Sequence, residues 1–160
     1  LPEIEWLREA DDLEIPVFGI CFGGQLLARA HGGSVARAPR PEIGWTPIWT
    51  QEPDLVGPGP WFHWHYDRWQ VPPGAREVAR NSRASQAFVL RRNLAVQFHP
   101  ELTAAGLQGW LEHGGRQKAV EDGQDADILY QHTLAEGQDA AGRAHALVDA
   151  FLDRVAPLPM

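Results

Sequence analysis

Ile4, Leu7 and Ala10 recur at helical spacing behind Pro2, which suits a first helical position, and acids crowd the first turn. Pro16 ends that segment. Val17-Phe18-Gly19-Ile20 is a short, wholly apolar run, the pattern of a parallel strand buried on both faces. Gly23-Gly24 follows, Gln25 to His31 has a helical composition, and Gly32-Gly33 can cap it. Val17–His31 therefore predicts a strand, a sharp turn and a helix.

Further strands are predicted over Ser34–Ala38 and over Ile43–Thr50, where Pro47 pushes the second towards a sheet edge. Gly57–Pro60 reads as a loop, Trp61–His65 as extended and aromatic, and Val71–Gly74 as a turn. Glu77–Asn81, Gln86–Leu90 and Leu94–His99 predict three short strands, with Arg91-Arg92-Asn93 turning the last two into a hairpin. These later strands look antiparallel or peripheral, so Val17–Ile20 is the one buried parallel strand expected. Thr103 can cap a helix that carries Leu107, Trp110 and Leu111 on one face. Glu121–Asp127 is acidic and expected in solvent. Asp139 opens a final helix with Ala144, Leu147, Val148, Phe151, Leu152 and Val155 as a wide apolar stripe.

The 160 residues suit one domain: a motif-bearing part over residues 1–105 and a helical, acidic tail over 106–160. No apolar run reaches the roughly 20 residues of a membrane span. Residues 1–100 carry ten bases and eleven acids, and the last sixty carry four bases and ten acids, so the tail holds most of the net charge of −7. No basic face is evident, which argues against nucleic acid as a partner. Cys21 is the sole cysteine. That excludes a disulfide framework and a cysteine-based zinc site, and fits a reducing, cytoplasmic compartment.

A lone cysteine is most often a small buried hydrophobe. Cys21 differs in context: a buried strand runs straight into it and a helix starts straight after it, with glycines at −2 and +2. This is the layout of a nucleophile elbow, in which a strained turn demands small neighbours. The helix N-terminus would stabilise a thiolate, and the Phe22 N–H would point at a developing oxyanion. In Leu94–Glu101 an apolar strand ends in His99, followed by a rigid Pro100 and then Glu101. An imidazole can carry protons for a thiolate, and a carboxylate two residues on can reach it and fix its tautomer.

Gly19-Ile20-Cys21-Phe22-Gly23-Gly24-Gln25 and Phe98-His99-Pro100-Glu101 together resemble the class I glutamine amidotransferases, which carry G-x-C-x-G-x-Q on the elbow and F-H-P-E at a strand end. Glu42-Ile43-Gly44-Trp45 is similar to the stand-alone, GMP-synthase-like branch. The resemblance implies a flavodoxin-like, doubly wound α/β fold with a mixed sheet and a Cys21–His99–Glu101 triad. It implies hydrolysis of the glutamine γ-amide, release of ammonia to a separate synthetase, and no metal or organic cofactor. A hydrolase of other γ-glutamyl compounds would use the same triad, and a non-catalytic binding relative would keep the same residues.

His63-Trp64-His65-Tyr66-Asp67 read alone suggests a metal, with His63 and His65 on one strand face and Asp67 as a carboxylate ligand, as in a metal-dependent hydrolase. Arg68 stands where such enzymes place a further histidine. The family resemblance instead makes Tyr66 and Asp67 glutamine contacts, alongside Gln25. Trp61, Trp64 and Trp69 are expected in the core or a pocket wall, and His113, His132 and His145 at the surface. The family's second oxyanion donor comes from a glycine-rich loop upstream of the nucleophile strand. The sequence therefore predicts a piece of a longer chain that lacks N-terminal strands, with both edges of Val17–Ile20 exposed.

Overall fold

The computed structural model describes residues 1–158 and Met160. Helix α1 (Pro2–Asp12) starts with its proline in the first turn and lays Ile4 on Leu26 and Ala30. Strand β1 (Val17–Ile20) leads through Cys21 into α2 (Phe22–Ala30), so the helix expected from Gln25 is already under way at Phe22. Gly32, at φ 92°, lets the chain leave α2 in a backbone conformation that other residues resist.

The two strands expected over 34–50 are arranged differently. Strand β2 (Ser34–Thr46) runs as one strand with a register shift between Arg37 and Glu42, where Pro39 and Pro41 interrupt regular pairing. Pro47 ends it, and β3 (Trp49–Thr50) joins another sheet. Strand β4 (Trp61–Gln70) extends well beyond the expected His65, because β2 supplies partners as far as Ser34, opposite Gln70.

Strands β5 (Arg76–Arg80), β6 (Ser85–Leu90) and β7 (Asn93–Val96) complete a five-stranded sheet in the order β1-β7-β6-β5-β3, and β2 and β4 form a separate two-stranded ribbon. The sheet is mixed: β1 and β7 are parallel and the other pairs antiparallel. One edge of β1 is therefore covered by β7, which corrects the expectation that both are exposed. Among the described residues β1 is the outer strand, and only Gly19 in it is buried. The fully buried strands are β6 and β7, whose apolar runs serve two faces. Val89, Leu94 and Val96 face Phe151 and Leu147, while Phe88, Leu90 and Ala95 face Leu27 and Trp69.

Thr103 caps α3 (Ala104–Trp110) as expected, accepting the Gly106 N–H at 3.0 Å. A kinked segment, Leu111–Gly115, leads to α4 (Arg116–Glu121). The last helix, α5 (Ala126–Ala150), starts thirteen residues before the expected Asp139. Asp125, in the stretch expected in solvent, caps it by accepting from the Asp127 and Ile128 amides. The stripe is narrower than expected: Leu147, Phe151 and Val155 are buried, whereas Val148 and Leu152 are exposed. Among the described residues no helix is long and apolar enough to cross a membrane.

Candidate active site

Cys21 sits at the C-terminal end of β1 with φ 50° and ψ −105°, a left-handed conformation that a non-glycine residue adopts only under constraint. Two bonds hold it there: its N–H donates to the Val96 carbonyl at 2.8 Å, and its carbonyl accepts the Gln25 N–H at 3.0 Å. Phe22 opens α2, so its N–H has no acceptor within the helix. Gly19 is needed sterically, since a Cβ there would stand 2.7 Å from the Gly23 carbonyl oxygen and from Leu27 Cδ1. The glycine at +2 differs: a Cβ on Gly23 would meet nothing among the described residues.

Strand β7 ends at Val96, and the chain then carries His99 past the end of the sheet. The His99 amide donates to the Phe62 carbonyl at 2.8 Å, and the ring lies edge-on to Trp110, with centroids 5.1 Å apart. Its Nδ1 is 2.7 Å from Glu101 Oε1. Nδ1 therefore carries the proton donated to the carboxylate, and Nε2 is left for exchange. Burial disfavours the imidazolium, but the Cys21 sulfur and Glu101 outweigh it and push His99 up to about 9. The structure thus brings Cys21, His99 and Glu101 together around one imidazole.

A cleft of about 360 Å³ opens beside His99, walled by Trp64, Tyr66, Trp110, His113 and Lys118. Of the expected tryptophans, Trp61 and Trp69 are core and Trp64 is wall. The Tyr66 hydroxyl donates to Asp122 at 2.5 Å and accepts from Trp64 Nε1 at 3.0 Å. Gln25 and Asp67 lie elsewhere: buried Gln25 donates through Nε2 to the Asp67 main-chain carbonyl and to Gln97 Oε1, each at 3.3 Å. A larger cavity of about 630 Å³ is bordered by Glu14, Ile15 and Arg92, at the end of β1 away from Cys21.

His63 and His65 do share a buried face of β4, but the carboxylate that joins them is Glu42 from the facing strand, not Asp67. Glu42 Oε2 lies 3.1 Å from His65 Nε2, and His65 Nε2 is 3.3 Å from His63 Nδ1. Gln86 Nε2 donates to Glu42 Oε2 at 2.9 Å, and Asn81 Nδ2 donates to Oε1. Burial alone would raise the Glu42 carboxyl, but His65, then the Asn81 donor and His63, bring it down to about 2. His65 Nδ1 faces the Asp67 carbonyl at 3.2 Å, and because that oxygen only accepts, Nδ1 is a donor. The cluster is a buried hydrogen-bonded network tying the ribbon to β6 and to Asn81 just beyond β5, with its carboxylate already satisfied by side-chain donors.

Glu42 and Gln97 lie inside stretches the sequence points to, Glu42–Trp45 and Leu94–Glu101, but neither is given a role there. Gln97 reaches the elbow through the parallel register, which pairs Ile20 with Val96 and so sets Cys21 beside Gln97 at the next step. Trp110 and Lys118 had no signal beyond position, since they come from a segment with no motif.

Residues 2–111 match the family described as Glutamine amidotransferase class-I. The GMP synthase (glutamine-hydrolyzing) of Aeropyrum pernix is 33% identical over 139 residues, spanning 78% of this chain and 27% of that protein. The corresponding protein of Rhizobium etli is 32% identical over 90% of this chain and 34% of its own length. This chain thus spans about a third or less of these relatives. A protein of Methanococcus maripaludis named as one subunit of GMP synthase (glutamine-hydrolyzing) is 36% identical over 56% of this chain and 52% of its own. Among solved structures, a glutamine amidotransferase of Thermotoga maritima superposes with a TM-score of 0.83 at 28% identity, covering 98% of this chain and 69% of that one. A glutamine amidotransferase of Methylobacillus flagellatus gives 0.85 at 26% identity, covering 99% and 71%.

Proposed function

The chain belongs to the class I glutamine amidotransferases, and from that premise we propose that it hydrolyses the γ-amide of glutamine with Cys21, His99 and Glu101 and passes the ammonia to a separate synthetase. The Cys21 thiolate attacks the γ-carbonyl carbon, and the Phe22 N–H supports the oxyanion. The protonated Nε2 of His99 gives its proton to the departing nitrogen, which leaves as ammonia, and a γ-glutamyl thioester remains on Cys21. Neutral His99 then takes a proton from water as its oxygen attacks the thioester. Glutamate departs and the thiolate is restored. Glu101 holds the Nδ1 proton throughout and so keeps Nε2 directed at the reacting atoms.

The observation that supports this most directly is the position of His99, bonded to Glu101 at 2.7 Å and raised in basicity by the sulfur of Cys21. The cleft walled by Trp64, Tyr66 and Lys118 opens on the same imidazole and offers room for the amino-acid end of the substrate. The Methanococcus relative supports a partner on a separate chain, since its name makes it one subunit of a glutamine-hydrolysing synthase.

The test is labelling by a glutamine-like diazo-ketone together with a glutaminase assay, both run with a metal chelator. Wild type should label at Cys21 and release ammonia, and Cys21→Ala should do neither. Labelling no faster than a free thiol reacts with iodoacetamide would make Cys21 a core residue and end the proposal.

A further inference from the structure

Gln97 is wholly buried one register step beyond Val96, with its main-chain N–H bonded to the Gln86 carbonyl at 2.9 Å. Its side chain lies between Gln25 and the nucleophile: Oε1 is 3.3 Å from Gln25 Nε2, and Nε2 is 3.6 Å from Cys21 Sγ. The two ends of an amide are alike in shape, so its direction follows from its partners. Here a chain of partners sets it. The Asp67 main-chain carbonyl can only accept, so the Gln25 atom facing it at 3.3 Å is the NH₂ group. That same nitrogen faces Gln97, which must answer with its oxygen. The NH₂ of Gln97 is then left for the sulfur. The His65 Nδ1 donor on the same Asp67 carbonyl, at 3.2 Å, holds this carbonyl in place from the other side.

We propose that Gln97 positions the nucleophile: its side-chain NH₂ donates to the Cys21 sulfur, holding it in the elbow and favouring the thiolate over the thiol. A donated hydrogen bond is stronger to an ionised acceptor than to a neutral one, so the contact discriminates between the two forms. The buried line from the Asp67 carbonyl through Gln25 and Gln97 therefore ends at the reacting atom. This rests on the assignment of Cys21 as nucleophile.

Cys21 is the sole cysteine, so alkylation of the 160-residue chain by iodoacetamide reports on it alone. The pH midpoint of the alkylation rate should rise by about one unit in Gln97→Met, since a hydrogen bond to a charged group is worth at least that much. It should rise further in Gln97→Glu, which sets an acceptor and a negative charge against the sulfur. Gln25→Met, which frees the Gln97 amide to turn, should give a smaller rise. The kcat for glutamine should fall about tenfold in Gln97→Met. A merely structural Gln97 would lower the melting temperature and leave the midpoint in place. Unmoved midpoints in whichever of the three variants fold overturn the proposal. A midpoint that moves in a protein without glutaminase activity would instead sink the proposed function and leave the donor standing. Activity with an unmoved midpoint would do the reverse.

Discussion

The Cys21 amide donates to the Val96 carbonyl at 2.8 Å, so the parallel ladder of β1 on β7 continues through Cys21 itself. The height of the sulfur above the sheet is set by strand register, and its turn into α2 is set by how closely α2 approaches β1.

Gly19→Ala should damage this junction and Gly23→Ala should not. A Cβ at Gly19 would stand 2.7 Å from backbone and side chain of α2, which must move away from β1. We expect a loss of about 1–3 kcal/mol in unfolding free energy, as for other overpacked sites, and diazo-ketone labelling of Cys21 slowed at least in proportion. Gly23→Ala meets nothing among the described residues and lies in a helix, so its melting temperature should hold or rise. Equal melting temperatures for Gly19→Ala and wild type would contradict the packing argument.

His99→Asn should leave the fold intact and lower glutamine turnover by about 10²–10⁴-fold, the usual span for a positioned proton carrier. Glu101→Gln should cost less, because it disturbs the orientation of the ring and leaves the proton carrier in place. It should also bring the alkaline fall in activity to lower pH, since the carboxylate is one of the groups that push His99 up to about 9. Steady-state kinetics across pH read both effects. A Glu101→Gln profile that overlays wild type would remove the carboxylate from the mechanism.

The parts of the site that could be read in the sequence are those where local chain geometry and chemistry coincide. The β1–Cys21–α2 junction and the His99-Pro100-Glu101 turn each place their groups within a few residues, so residue order nearly dictates the contact. Glu42 and Gln97 act across strands, and their contacts depend on register, which the residue pattern alone does not fix. The same holds for the fold. The short hairpin of β6 and β7 was legible from its turn, whereas β2 and β4 grew beyond their expected limits because each supplies the other's partners. The start of helix α5 is not legible in the sequence, because Asp125, an ordinary acid in an acidic stretch, is made a cap only by the helix that follows.

The Glu42–His63–His65 cluster should bind no stoichiometric zinc at micromolar concentrations. The Glu42 carboxylate already receives Gln86 and Asn81, and His65 Nε2 lies 3.1 Å from it. A metal would have to displace the Gln86 and Asn81 donors from that carboxylate. Elemental analysis of protein dialysed against zinc decides the matter. One equivalent bound, and lost in His63→Ala, would make the cluster a metal site.

Stability should peak near pH 6.5 and fall on both sides for separable reasons. On the acid side, burial holds His63 down to about 4, with Glu42 opposing. A folded state that resists protonation below the ordinary histidine value of 6.5 binds fewer protons than the unfolded chain. Stability is therefore present above 6.5 and is lost as pH falls towards about 4. Glu42, held near 2, adds a second loss as pH drops from its ordinary 4.5 towards 2. On the alkaline side the sign reverses. His99 is raised to about 9, so its contribution is complete below 6.5 and disappears as pH climbs towards 9. Each histidine shift corresponds to about 3 kcal/mol at most. His63→Gln should flatten the decline between pH 6.5 and 4 and leave the alkaline limb unchanged, and His99→Asn should do the opposite. Melting temperatures of the three proteins from pH 4 to 9 separate the two limbs. An acid limb that is as steep in His63→Gln as in wild type would show that the buried histidine cluster does not govern it.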